Sequence, residues 1–119
     1  GRSRLPARCP HQRRHLRQVL QVEGLGEVLV HGVIDALVDD VLIVDYKTGK
    51  PNPELEQHYA DQLRLYAAAL RNITGNVSDK AVLWYADYGE SHTVEITKDK
   101  VDDVLECAQK ILERGVVLT

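Results

Sequence analysis

The sequence has little cysteine: Cys9 and Cys107 are the only two in 119 residues. No CxxC and no nearby histidine pair at ligand spacing accompanies them, which excludes a four-cysteine zinc or iron–sulfur site within the chain and any disulfide framework. No apolar run approaches the roughly 20 residues of a membrane span, and no signal-peptide pattern opens the sequence. The expectation is a cytoplasmic protein without membrane association, so the acceptor-like triplets at Asn72 and Asn76 are read as chance. No phosphate-binding Walker loop is present. Acid is also missing from residues 1–20, which carry Arg2, Arg4, Arg8, Arg13, Arg14 and Arg17. Residues 1–15 are therefore read as a basic arm, disordered or truncated, with a grip on phosphates as the alternative.

What remains reads as one soluble domain over residues 16–119. A chain of this length buries one core, and a net charge of −3 with 44% hydrophobic residues is ordinary for a globular protein. Leu16 to Val22 alternates apolar and polar residues and closes at Gly24-Leu25-Gly26, the pattern of a strand and turn. Two β-branched runs follow, Val28 to Leu37 and Val41 to Tyr46. Asn52-Pro53-Glu54 starts a helix that should run to Thr74 and stop at Gly75, with Leu55, Tyr59, Leu63, Tyr66, Leu70 and Ile73 as its apolar face. Ala81 to Tyr85 and Thr93 to Ile96 read as strands. Thr97 caps a last helix striped by Val101, Val104, Leu105, Ala108, Ile111 and Leu112. The order is βββαββα, an α/β chain of the α+β type with a mixed sheet of about five strands and helices packed on it.

Asp35 and Asp45 interrupt the second and third apolar runs. A carboxylate in such a place is costly unless it is paired, neutralised or bound to a metal, and two of them together favour a shared cation. Mg²⁺ suits such a pair, since it takes oxygen ligands and leaves room for water and phosphate. Lys47, two residues after Asp45, lies on the same strand face. Register decides whether the carboxylates meet. A two-residue turn at Asp39-Asp40 would put them on opposite faces, whereas a three-residue loop or a bulge would bring them to one face as diagonal neighbours. On the helix, Gln62 lies between Tyr59 and Tyr66, either capping the core edge or reaching toward the carboxylates. Taken alone, Asp45 and Lys47 also fit an exposed pair worth under about 1 kcal/mol.

Gly32-x-Ile34-Asp35, Asp45-Tyr46-Lys47-Thr48-Gly49 and Tyr59-x-x-Gln62-Leu63-x-x-Tyr66, in that order, resemble the PD-(D/E)XK nuclease superfamily, and within it the RecB/AddA-like nuclease module of helicase–nuclease proteins. The resemblance covers Val28 to Leu70 closely and the later elements more loosely. It implies a restriction-endonuclease-like fold and a Mg²⁺-dependent DNA nuclease, with Mn²⁺ as a substitute, working as an exonuclease beside a helicase or ATPase in recombination and repair. Asp35, Asp45 and the main-chain carbonyl of Tyr46 would hold the metal, Lys47 would activate the attacking water and stabilise the phosphate, and Gln62, Tyr66 and Thr48 would support the site or contact DNA. The absence of cluster cysteines fits the branch without an iron–sulfur cluster.

The pattern departs from the family in one respect. Members usually carry a histidine ligand on a helix before the sheet, whereas His11 and His15 lie in the basic arm. Glu23 and Glu27 are further acids near the sheet, more simply read as turn residues. The chain is accordingly expected to be a fragment or an N-terminally reduced member. This leaves open a catalytically silent nuclease fold that binds DNA or scaffolds such a complex, and, with less room in the chain, a stand-alone restriction-like endonuclease. A DNA path would be local, made of the arm, Lys47, Lys50 and Arg64, with no recognition helix for bases.

Overall fold

A computed structural model describes residues 12–22 and 26–113. Five strands form one sheet in the order β1-β2-β3-β4-β5: β1 Gln12–Val22, β2 Gly26–Val38, β3 Leu42–Lys47, β4 Lys80–Tyr85 and β5 Glu90–Glu95. The first three are an antiparallel meander, β4 runs parallel to β3, and β5 returns antiparallel. Helix α1, Pro53–Thr74, makes the crossover that a parallel pair requires. Helix α2, Lys98–Glu113, follows β5 and packs against α1. No helix among the described residues is long and apolar enough to cross a membrane. The expected mixed five-stranded sheet in the order βββαββα is what the chain forms.

The helix ends are built as their sequences require. The Asn52 side chain accepts the Glu54 amide at 3.0 Å, Pro53 occupies the first turn, and Gly75 closes the helix at φ 80° with its amide on Arg71 O. Thr97 Oγ1 accepts the Lys100 amide at 3.2 Å and starts α2. The core lies between the sheet and the helices and holds Leu16, Leu20, Val28, Val30, Ile34 and Ile43 from the meander, Leu63, Ala69 and Leu70 from α1, and Leu83 and Tyr85 from β4. Of the α2 stripe, Val104 and Leu105 are buried; the side chains of Ala108, Ile111 and Leu112 lie outside the described residues.

Three expectations need correction. β1 begins at Gln12, so residues 12–15 are paired strand rather than arm, because Arg14 and His15 find backbone partners in Ile34 and Val33. Leu55 and Ile73 are exposed, since they sit in the terminal turns of α1, beyond the middle of the helix that covers the core. Arg64 is buried, with Nε on Glu95 O at 2.9 Å and Nη1 on Asp61 at 3.3 Å, so it ties α1 to β5 instead of facing a DNA path.

Two irregularities set the register. Asp39 and Asp40 both take left-handed conformations, at φ 53° and 61°, which short polar side chains tolerate. The Val41 amide donates to Val38 O, yet the ladder pairs Val38 with Leu42, so Val41 is an added residue and the loop has three. A bulge follows on the other edge of β2. Arg14 pairs with Ile34 and Gln12 with Leu37, so two residues of β1 run against three of β2. In its first half β2 turns Val28, Val30 and Ile34 to the core, and past the bulge it turns Leu37 there, opposite the buried Ile43.

Gly32 faces the helix layer where Tyr66 descends. A Cβ on Gly32 would sit 2.7 Å from Tyr66 Cζ and 2.8 Å from Cε1, so the ring would have to shift. We expect Gly32→Ala to lower stability by about 1–3 kcal/mol through overpacking. Combining it with Tyr66→Phe, which removes the nearest overlapping atom, should cost less than the sum of the two single changes. Urea unfolding of the full double-mutant cycle measures this coupling.

Candidate active site

The three-residue loop brings Asp35 and Asp45 to one face. The ladder pairs Val38 with Leu42 and Ala36 with Val44, and just beyond it the Asp35 carboxyl lies close enough to Asp45 to act on its charge. Asp35 Oδ2 accepts the Tyr46 amide at 3.0 Å, which fixes its carboxylate against β3. Asp45 and Lys47 stand in the same row as the buried Ile43, beneath the first half of α1. Asp45 Oδ2 and Lys47 Nζ are 2.8 Å apart, with side chains only 14% and 19% exposed. The ammonium also lies 3.6 Å from the centroid of the Tyr59 ring. The pair is therefore mostly desolvated, not an exposed surface pair.

That burial leaves Asp45 strained electrostatically. Its carboxyl is raised from 3.8 to about 6, first by desolvation and also by the neighbouring Asp35, against the opposing pull of Lys47. Oδ2 accepts no well-directed hydrogen bond; the ammonium beside it supplies charge more than direction. Two hard oxygen donors on one face, one of them incompletely satisfied, fit a divalent cation whose remaining positions go to water or substrate. Among the described residues no group of three or more His, Cys, Asp or Glu gathers in a way that could hold a metal ion. Among the described residues, a cation here would rest on the Asp35–Asp45 pair and main-chain oxygen.

The other candidates fall into two groups. Tyr66 is buried, the Val33 amide donates to its oxygen, and burial followed by the charges of Asp45 and Asp35 pushes its phenol up. Gln62, half-buried, lines with Tyr66, Gly32, Val33 and His15 a groove of about 620 Å³ between α1 and the meander. Tyr46 is partly exposed, and its main-chain amide is tied to the Asp35 carboxylate. Thr48 and Lys50 are exposed beyond the end of β3. His15 lies in β1 and is exposed, Glu27 accepts Gln21 Nε2 at the far end of the β1–β2 hairpin, and Cys9, His11 and Glu23 lie outside the described residues.

Sequence reasoning missed the residues supplied by the parallel strand. Tyr85 is the register partner of Lys47. Beside it, the His92 ring nitrogens bond Glu56 at 2.5 Å and Glu90 at 3.1 Å, and these two carboxylates raise the imidazole above its ordinary value. Tyr59 was legible only as an apolar position. Its spacing to Gln62 and Tyr66 put it on the right face, but nothing in the spacing shows a cation above its ring.

In the folded protein Asp45 keeps its proton to about pH 6, whereas the unfolded chain releases it near 3.8. Between these values the fold binds more protons, so this group's contribution to stability is full below pH 3.8 and is lost as pH rises through 6. We expect the metal-free stability of the protein, measured relative to Asp45→Asn by thermal melting in chelator, to fall across that window and to level off on either side.

The pattern of the PD-(D/E)XK nuclease superfamily matches residues 4–116. The ATP-dependent helicase/nuclease A subunit of Lactiplantibacillus plantarum is 41% identical over 64 residues, covering 48% of this chain and 5% of the relative. Its counterpart in Oenococcus oeni is 45% identical over 64 residues, with the same coverage. The chain thus spans 5% of the length of these relatives. Two crystal structures share the fold. One is of a Eubacterium rectale protein provisionally described as an exonuclease, with a TM-score of 0.56 at 14% identity, covering 85% of this chain and 42% of that one. The other is SSO0001, with a TM-score of 0.55 at 17% identity, covering 87% and 50%. By this match and by its five-stranded sheet, the chain belongs to the PD-(D/E)XK nuclease superfamily and is related to the helicase/nuclease A subunits.

Proposed function

We propose that the chain is a divalent-cation-dependent DNA nuclease module that hydrolyses phosphodiester bonds, an exonuclease acting beside a helicase motor in recombination and repair. The observation that carries this reading is the buried Asp45–Lys47 pair with the Asp35 carboxylate beside it. Asp35, Asp45 and the Tyr46 carbonyl would hold the cation, Mg²⁺ or Mn²⁺ in its place, which would supply a Lewis acid for the phosphoryl oxygens and a more acidic water. Lys47 orients that water and meets the charge that develops on the phosphate. Tyr59 keeps the ammonium in place, and Gln62 and Tyr66 line the groove beside the carboxylates. Thr48, at the exposed strand end, contacts the substrate backbone.

The magnitudes are adequate for catalysis. A unit charge pair at about 4 Å and an effective dielectric near 20 is worth about 4 kcal/mol, about a thousandfold in rate if realised only in the transition state. The second reading is a silent nuclease fold that binds DNA within a larger assembly. It draws on the lack of a third ligating side chain beside Asp35 and Asp45 among the described residues.

End-labelled linear DNA incubated with Mg²⁺ or Mn²⁺ separates the two. We expect cation-dependent cleavage that Asp45→Asn and Lys47→Ala each reduce by about a thousandfold, with folding of both confirmed by circular dichroism. Equal, feeble cleavage by all three proteins, with DNA binding retained, selects the silent reading.

A further inference from the structure

The Lys47 ammonium rests between neighbours that make different demands on it. Asp45 Oδ2 holds it at 2.8 Å and the Tyr59 ring lies 3.6 Å away. On the function proposed above, which this inference rests on, Asp45 turns its oxygens to a cation. Two positive charges on one buried carboxylate oxygen repel each other. The ammonium then needs another acceptor, because it is largely removed from solvent and carries three donors. The face of Tyr59 can attract the charge but does not replace the lost oxygen.

Tyr85 meets this need by position. It pairs with Lys47 across the parallel β3–β4 ladder, so the two side chains stand beside each other on the face covered by α1. The residue is 2% exposed, and its hydroxyl makes no well-directed hydrogen bond among the described residues. Glu56, Tyr59 and Asp45 are its electrostatic neighbours, Glu56 the foremost. A phenol that turns its hydrogen toward Glu56 keeps its oxygen lone pairs free to accept. The ring is held from behind: His92 packs on it at a centroid distance of 5.1 Å, and His92 is fixed by Glu56 and Glu90. With its hydrogen drawn to Glu56, the phenol oxygen still has acceptor capacity that nothing else among the described residues uses.

We infer that the Tyr85 oxygen is the second seat of the Lys47 ammonium: when Asp45 takes up a cation, Nζ moves along the Tyr59 face from the carboxylate to the phenol. No proton is transferred in this move; Tyr85 keeps its hydrogen and accepts one from the ammonium as a hydrogen bond. Tyr85 is thus a positioning residue that acts through Lys47. The Glu56–His92–Glu90 chain serves the same purpose one step further out by holding the start of α1, and with it Tyr59, on the sheet.

The test is Tyr85→Phe, which keeps the ring and removes the oxygen. Three readouts are compared with the unaltered protein: melting without metal, calorimetric titration with MgCl₂ alone, and cleavage of end-labelled linear DNA. We expect the Mg²⁺ Kd to weaken about tenfold and kcat to fall about tenfold at constant KM, the lower end of what partners of metal ligands contribute, while the metal-free melting temperature reads only the loss of the hydroxyl's contact with Glu56. A Phe variant equal to the unaltered protein in Mg²⁺ affinity and kcat overturns the second seat, whatever its metal-free melting temperature. An unaltered protein that binds no Mg²⁺ overturns the functional reading and the seat with it. Weakened Mg²⁺ binding by the variant, with no cleavage by either protein, supports the seat and overturns catalysis alone.

Discussion

The burial of one ion pair is the constraint around which the rest of the structure is arranged. Asp45 and Lys47 stand in a row that begins with the buried Ile43, under a helix. Removing two charges from water costs several kcal/mol per ion, and their attraction repays it only when the remaining donors and acceptors are satisfied. Here they are not: Asp45 Oδ2 lacks a directed hydrogen bond, and its carboxyl has drifted up to about 6. An apolar pair of the same volume would make a quieter core. A site that departs from good packing in this way, in a fold otherwise consistent at every level, is where function is expected to lie.

Bringing Asp35 to that pair requires β2 to serve two faces in one strand. A regular strand that turns Val28, Val30 and Ile34 to the core would turn residue 36 to the same face and send Asp35 to the opposite side. The bulge against Gln12 and Arg14 breaks this alternation, and the extra residue Val41 sets the matching register on β3. The fold therefore contains two local defects whose combined effect is one polar strip. It runs from Asp35 through Asp45 and Lys47 to Tyr85 and His92, along the ends of the central strands and beneath the first turns of α1. Gly32 contributes by leaving space, letting Tyr66 settle against the meander beside the same strip.

Much of this was legible in the sequence, for identifiable reasons. The elements announce themselves through local signals: Asn52, Gly75 and Thr97 are caps whose chemistry does not depend on the rest of the molecule, and the alternation in β1 survives in isolation. Asp35, Asp45 and Lys47 stood out because carboxylates are misplaced in apolar runs, and strand parity required a three-residue loop or a bulge for the two acids to meet; the structure contains both. Illegible were the facts that depend on which strands become neighbours. Nothing in the sequence around Tyr85 marks it as the partner of Lys47, since the parallel pairing exists only once α1 has crossed over. Arg64 looked like a surface cation because its carbonyl partner, Glu95, is thirty-one residues away. Leu55 and Ile73 obeyed the helical period but lie past the edges of what the helix covers.

The same strip explains how a chain with net charge −3 can be suited to a polyanionic substrate. Bare, the Asp35–Asp45 face repels phosphate, and Lys47 cannot help because Asp45 neutralises it. On the proposed function, both conditions would be reversed together with a divalent cation in place: the carboxylates would be neutralised and the ammonium freed from its internal partner, so the local field would change sign only then. Substrate attraction and catalytic competence then share one cause. A surface of permanent lysines would bind DNA tightly without the cation and would gain nothing in the transition state. An internal ion pair that must be opened binds weakly until the chemistry is ready, and this gives a physical reason for a buried pair that stability alone does not justify.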